Sequence, residues 1–233
     1  MSKRPRLTSD QIAAELAETV ASCPIVSLLP DLFTNRKMFD SYDDFAAEGF
    51  RLVDHAENKI MSGTHKDAPG YMFKKYNDDK ETKKQISNYM HRVEGSRLLR
   101  AFIAERGFER VVAPRKWLCE LPGFPEPYLV VAEKIDLASR DETDAAYDDI
   151  DKDQTRELAM ILYYFRGLNS SAANLPFTED GKIAFIDTER WHHDKDLLRK
   201  VGDRLPKDRR KIAEDIHDDL ERRGERPFVS LFK

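Results

Sequence analysis

Cysteine is nearly absent from this 233-residue chain, which holds only Cys23 and Cys119, 96 positions apart and without a Cys-x-x-Cys pair. That excludes a disulfide framework and a zinc ribbon. Long apolar runs are missing too. No stretch approaches the roughly 18–20 residues that span a bilayer, so no membrane-spanning segment is expected. Neither sign of charge dominates, with 39 Lys and Arg against 43 Asp and Glu for a net charge of −4. This balance leaves no electrostatic footprint for nucleic acid. The short clusters Lys3/Arg4/Arg6 and Lys207/Arg209/Arg210/Lys211 read as solvated surface. The opening Met1-Ser2-Lys3-Arg4-Pro5-Arg6 is basic but runs into the polar Leu7-Thr8-Ser9-Asp10, without the apolar core of a secretory signal. A cytoplasmic location is expected, with delivery by a non-cleaved route left open. Internal repeats and low-complexity blocks are also lacking.

What is present argues for a folded core. Thirteen Phe, eight Tyr and two Trp stand against wholesale disorder, although charged residues reach 35% and apolar ones only 40%. The length suits one large domain or two small lobes. Ser9 as a cap and Ile12, Leu16 and Val20 at helical spacing predict a helix over 9–22, closed by Pro24. A short helix is expected over 41–49 and a strand over 50–54, followed by a loop over 56–69 that contains Ser62-Gly63-Thr64 and Pro69. Residues 70–76 read as an aromatic-rich strand. Residues 78–105 have no proline and predict one long helix or two abutting ones, with Gly95 as the weak point and Gly107 as the stop.

Strands are expected at Val111-Val112, 116–120 and 128–133, the last two as a loose hairpin. The acidic stretch 140–153 reads as a surface linker, and helix resumes over 154–166 on Leu158, Ile161, Leu162 and Phe165. A loop over 169–177, a strand over 182–186 and helices near 194–203 and 207–223 complete the pattern. A mostly β half followed by a mostly α half predicts an α+β protein of two lobes.

The stretch from Gly167 to Glu189 carries the chemistry. It places a polar loop after a helix, then a tight Glu179-Asp180-Gly181 turn, then an apolar strand that delivers Asp187 at its end. Asn174 and Asp187 would converge from a loop and a strand terminus, as a hydrated Mg²⁺ with bound phosphates requires. This segment resembles the catalytic loop and metal-binding strand of the protein kinase-like superfamily, whose pattern runs His-Arg-Asp, four residues, Asn, and later Asp-Phe-Gly. Asn174 lies 5 residues after Asn169, and Asp187 lies 13 after Asn174. Upstream, Tyr71-Met72-Phe73-Lys74 is similar to the Val-Ala-Ile-Lys strand. Glu94 in the following helix is similar in position to the glutamate that pairs with that lysine. The segment 128–134 resembles the strand leading into the adenine-binding hinge, with Glu133 and Lys134 at the hinge.

The resemblance spans roughly residues 50–190. It implies a minimal bilobal kinase-like fold, with a small antiparallel sheet and one long helix in the N-lobe and a reduced, mainly helical C-lobe. The implied segments are 1–49 as a helical extension, 50–137 as the N-lobe and 138–233 as the C-lobe. It implies ATP and Mg²⁺ as cofactors: Lys74 on the phosphates (Lys75 if the register slips by one), Glu94 orienting it, Glu133 at the hinge, and Asn174 and Asp187 on the metal. It further implies a protein target and a place among the truncated kinase-like proteins that bacteria use as effectors, with delivery into a host cell as one location.

The departures from the family are specific. Asn169 stands where the catalytic-loop Asp is expected, and Gly167 and Leu168 replace the motif's His and Arg. Asn cannot accept a proton at neutral pH, so general-base help worth about 10²–10⁴-fold is missing. No Gly-x-Gly-x-x-Gly loop precedes Lys74; only Gly63 and Gly70 are near it. Asp-Phe-Gly becomes Asp187-Thr188-Glu189, no Ala-Pro-Glu follows, and the 44 residues after Glu189 are expected to be too few for a full helical lobe. The expectation is a nucleotide-binding protein that is an atypical or weak ATP-dependent transferase of phosphoryl or AMP groups. The alternative is an inactive pseudokinase serving as an interaction module.

Taken singly, these residues have ordinary explanations. Lysines 74 and 75 could guard an edge strand, Glu94 could be a solvated helix residue, and Asn174 could brace its loop. His192-His193-Asp194 lacks a third ligand spacing for a metal. Trp117 and Trp191 read as core, Cys119 as a small buried apolar residue, and Ser170 and Ser171 as loop polarity.

Overall fold

The computed structural model describes residues 23–33, 42–53, 60–76, 82–121, 128–166, 174–188 and 201–227. The architecture is mixed α+β, with an antiparallel sheet and several helices. It divides into two compact units that interleave along the chain. The first gathers the described residues up to Val93 together with Arg115–Lys134, and the second gathers Glu94–Pro114 and the described residues from Ile135 to Pro227. The expected helix over 9–22 lies outside the described residues.

The first unit is built on a sheet of five strands in the order β1-β2-β3-β6-β5, every neighbouring pair antiparallel. These are β1 (Phe50–Leu52), β2 (Ile60–His65), β3 (Ala68–Tyr76), β5 (Lys116–Glu120) and β6 (Tyr128–Glu133). The strand β2 corrects the expected loop over 56–69. Its side chains alternate in burial, with Met61, Gly63 and His65 turned inward. A glycine and a histidine give that inward face little apolar signal. Gly63 is also a packing requirement: a Cβ there would lie 2.8 Å from the Phe45 ring and 3.1 Å from the Arg51 carbonyl oxygen.

One sheet face carries a cluster of rings. Phe45 stacks on Phe50 with centroids 4.3 Å apart, and Phe50 meets Phe73 edge-on at 5.0 Å. Phe45 comes from the short helix α2 (Tyr42–Ala47). Cys23, Ile25, Leu29, Leu32 and Phe33 close over this cluster from residues 23–33, which include the one-turn helix α1 (Leu29–Leu32). The other face meets the N-terminal half of α3 (Thr82–Arg106). There Ile86, Tyr89, Met90 and Val93, at i, i+3, i+4 and i+7, pack with Ile60, Leu118, Tyr128 and Val130. The helix is continuous through the buried Gly95, and Gly107 stops it at φ +63°.

In the second unit, Leu99 and Phe102 of α3 join an apolar core with α5 (Lys152–Tyr164) and α6 (Lys207–Arg222). The stretch expected as an acidic linker over 140–153 is instead the helix α4 (Arg140–Asp148) and the cap of α5. Two capping boxes explain it. Ser139 and Glu142 exchange side-chain and backbone bonds at the start of α4, as Asp151 and Gln154 do at α5. The acidic residues face water while Thr143 and Tyr147 are buried. The apolar set expected for 154–166 (Leu158, Ile161, Leu162 and Phe165) is buried. Of the helix expected near 194–203, residues 201–203 are described, and of these 201–202 are helical. Val111-Val112, strand β4, pairs in parallel with β7 (Ile183–Ala184) rather than joining the five-stranded sheet.

Candidate functional site

The Glu179-Asp180-Gly181 turn forms, and around it the chain folds back as a hairpin. Thr178 N–H donates to the Lys182 carbonyl at 2.8 Å, Ala184 N–H to Pro176 at 2.8 Å, and Ile186 N–H to Asn174 at 3.3 Å. Gly181 takes φ +80°, a conformation that favours glycine, and its N–H donates to Thr178 O at 2.9 Å. The Thr178 hydroxyl, donating to Asp180 at 2.5 Å, and the Lys182 ammonium at 3.1 Å hold the Asp180 carboxyl below the usual range. The hairpin brings Asn174 opposite Ile186, one residue from Asp187. Both Asn174 and Asp187 are half-buried.

Both strands of the hairpin are braced. Ile183 N–H donates to Arg110 O and Phe185 N–H to Val112 O, each at 2.9 Å, which locks the 183–185 side against β4. On the other side Tyr147 donates its hydroxyl to Leu175 O at 2.9 Å, and Phe177 N–H donates to Thr143 Oγ1 at 3.2 Å. Burial pushes the Tyr147 phenol well up, so it remains a protonated donor. Gln154 ties α5 to the turn through its amide, which donates to Gly181 O at 2.9 Å. Thr143 and Tyr147 are supports that the sequence reading missed by treating α4 as linker. The signal available was the Ser139-x-x-Glu142 capping box.

The remaining expected residues divide between the units. Lys74 and Glu133 belong to the first, and Glu94, Asn174 and Asp187 to the second. Lys74 lies across from Val130, which lies across from Leu118, so it stands on the sheet face that α3 covers. Lys75 lies across from Met61 on the ring-bearing face and is 1% exposed. The strand β3 is interior to the sheet, so neither lysine guards an edge. Glu94 is 3% exposed, not a solvated helix position.

Glu133 is engaged locally. Its N–H donates to Arg115 O at 2.9 Å, and its carboxylate accepts from Arg115 N–H at 3.0 Å. Lys134 N–H donates to Gly70 O at 2.9 Å. Trp117 packs against Tyr71 with centroids 6.1 Å apart, and Cys119 is buried as expected. Asn169, Ser170, Ser171, Glu189, Trp191, His192 and His193 lie outside the described residues. Among the described residues no three His, Cys, Asp or Glu side chains form a group that could hold a metal. Nor is any helix among them long and apolar enough to cross a membrane.

No protein-family model matches the chain, and no curated protein matches it.

Proposed function

We propose that this chain is a kinase-like nucleotide-binding protein that takes ATP with Mg²⁺ and acts on a protein target as an atypical or weak transferase of phosphoryl or AMP groups. The observation that carries the reading is the braced hairpin that brings Asn174 within one residue of Asp187. An amide oxygen and a carboxylate are hard oxygen donors, which suit a small divalent cation that keeps waters and phosphate oxygens for its remaining positions. When bound, such a cation neutralises charge on the phosphates. The position of Lys74 on the helix-covered sheet face supports its assignment to the phosphates over Lys75, which faces the ring cluster.

The proposal assigns the orientation of Lys74 to Glu94. It gives Glu133 a hinge role through its backbone, because its carboxylate is already engaged by Arg115. Asn169 stands at the base position and cannot take a proton there, so transfer to a protein hydroxyl would be slow while nucleotide binding is untouched. The same substitution favours a second reading, an inactive pseudokinase that grips a partner protein; within either reading the bilobal kinase-like fold and delivery as a bacterial effector remain parts of the proposal.

The test is the melting temperature with and without Mg²⁺–ATP. A rise in the wild type that Lys74→Ala removes is expected; no rise, with Lys74→Ala indistinguishable, ends the nucleotide-binding proposal. Asn169→Asp is expected to raise phosphoryl transfer. Undiminished nucleotide binding without any gain in transfer would favour the pseudokinase reading.

A further inference from the structure

The ladder of the hairpin thins toward the end that carries Asn174. At the turn, Thr178 N–H donates to Lys182 O and Lys182 N–H donates to Thr178 Oγ1, both at 2.8 Å. Two residues on, Pro176 O accepts from Ala184 N–H, but proline has no N–H to return. That pair makes one bond where an antiparallel pair can make two. The rung at the far end, Ile186 N–H to Asn174 O, is longer, at 3.3 Å. Cross-strand pairing is therefore weakest at the residue whose side chain the proposed cation site needs held in place.

The outward side of the same strand offsets this. Residues 175 and 177 turn peptide groups away from the hairpin partner, and α4 meets them with side chains. Tyr147 donates its hydroxyl to Leu175 O at 2.9 Å, one residue from Asn174, and Thr143 Oγ1 accepts from Phe177 N–H at 3.2 Å, three residues from it. The Tyr147 ring is itself clamped. It is 2% exposed, meets Phe177 edge-on with centroids 5.1 Å apart, and lies 5.4 Å from the Arg204 guanidinium, which pairs with Asp144 of α4 at 3.0 Å. A hydroxyl on so fixed a ring has a fixed aim.

We propose that Tyr147 is a positioning residue for the cation assigned to Asn174 and Asp187: its hydroxyl, through Leu175 O, holds the Asn174 backbone where the ladder is weakest. This rests on the nucleotide-binding proposal and deepens it. Thr143, farther along the strand, contributes less. Without the hydroxyl, Leu175 O loses its donor and the Asn174 end of the strand moves more freely. A cation must then fix Asn174 again on binding, so its affinity falls.

The experiment measures the magnesium concentration that half-saturates the effect of magnesium on ATP binding, by titration calorimetry of the full chain. The proteins are the wild type, Tyr147→Phe, Thr143→Val and Tyr163→Phe. Tyr163→Phe controls for stability alone, because it removes a comparable hydroxyl-to-carbonyl bond, 2.8 Å to Glu225 O rather than to the hairpin. Tyr147→Phe keeps the ring and is expected to raise the half-saturating concentration about three- to tenfold, the equivalent of one hydrogen bond. ATP binding without magnesium should stay unchanged. Thr143→Val should give a smaller rise, and Tyr163→Phe none even though its melting temperature falls. In the magnesium-free proteins, hydrogen exchange should quicken most at Ile186 N–H in Tyr147→Phe. A wild-type magnesium requirement in Tyr147→Phe, or an equal rise in Tyr163→Phe, would overturn the positioning role and leave the nucleotide-binding proposal standing. Wild-type binding indifferent to magnesium would overturn both.

Discussion

Rings in the first unit meet one another; in the second, two buried tyrosines also reach backbone carbonyls. Phe33, Phe45, Phe50 and Phe73 contact one another over the sheet, with centroid separations from 4.3 to 6.5 Å. Tyr147 donates its hydroxyl to Leu175 O and Tyr163 to Glu225 O, at 2.9 and 2.8 Å. The first arrangement specifies a face by shape, and its stability scales with apolar surface removed from water. The second pins loops, because a buried hydroxyl and a carbonyl must find each other or lose a solvated partner. The hairpin bearing Asn174 and Asp187 is held in this second way.

The largest effect expected from breaking this contrast comes from Phe45→Ala. It removes a ring stacked on Phe50 and lying against Gly63, and should cost about 3–5 kcal/mol by denaturant unfolding. Hydrogen exchange should show the loss of protection in β1, β2 and β3, while amides of the hairpin keep theirs. Tyr147→Phe should cost less, about 1–2 kcal/mol, because the ring stays and only the bond to Leu175 O is lost. Its loss of protection should fall on the hairpin and leave the sheet unchanged. If Phe45→Ala and Tyr147→Phe deprotected the same amides, the contrast between the units would be wrong.

The smallest effect concerns pH and the second unit alone. His217 lies under α5 and bonds to Ala159 O at 2.8 Å, and burial lowers its pKa from the ordinary 6.5. Its unfolded form therefore binds a proton more readily, so the stability it contributes is present above the ordinary value and is lost as pH falls from there toward its lowered one. Unfolding free energy measured from pH 7.5 to 5 should decline on this account, and His217→Gln should flatten that share of the slope.

Much of this was legible from residue order, for identifiable reasons. The helices α3 and α5 announce themselves by apolar spacing, and β3 and β6 by aromatic and β-branched runs. The Glu179-Asp180-Gly181 turn marks the hairpin because a glycine that tolerates positive φ is needed there. Other elements were hidden. The inward face of β2 is Met61, Gly63 and His65, and its close fit to Phe45 is a tertiary fact that no local pattern carries. The acidic surface of α4 obscures two inward residues, Thr143 and Tyr147, although its cap was readable. The parallel partnership of β4 with β7 joins segments about 70 residues apart and leaves no periodic trace. Asn174 and Asp187 were readable as a pair because one turn joins them; the braces that hold them were not.

The central claim is that Asn174 and Asp187 supply oxygen donors for a cation carried with a nucleotide. Titration calorimetry of ATP in the presence and absence of magnesium tests it most directly, on the wild type, Asn174→Ala and Asp187→Asn. The account predicts magnesium-dependent binding in the wild type and loss of that dependence in both variants, with hydrogen-exchange protection of the hairpin retained. Binding indifferent to magnesium, or equally magnesium-dependent in all three proteins, would contradict it.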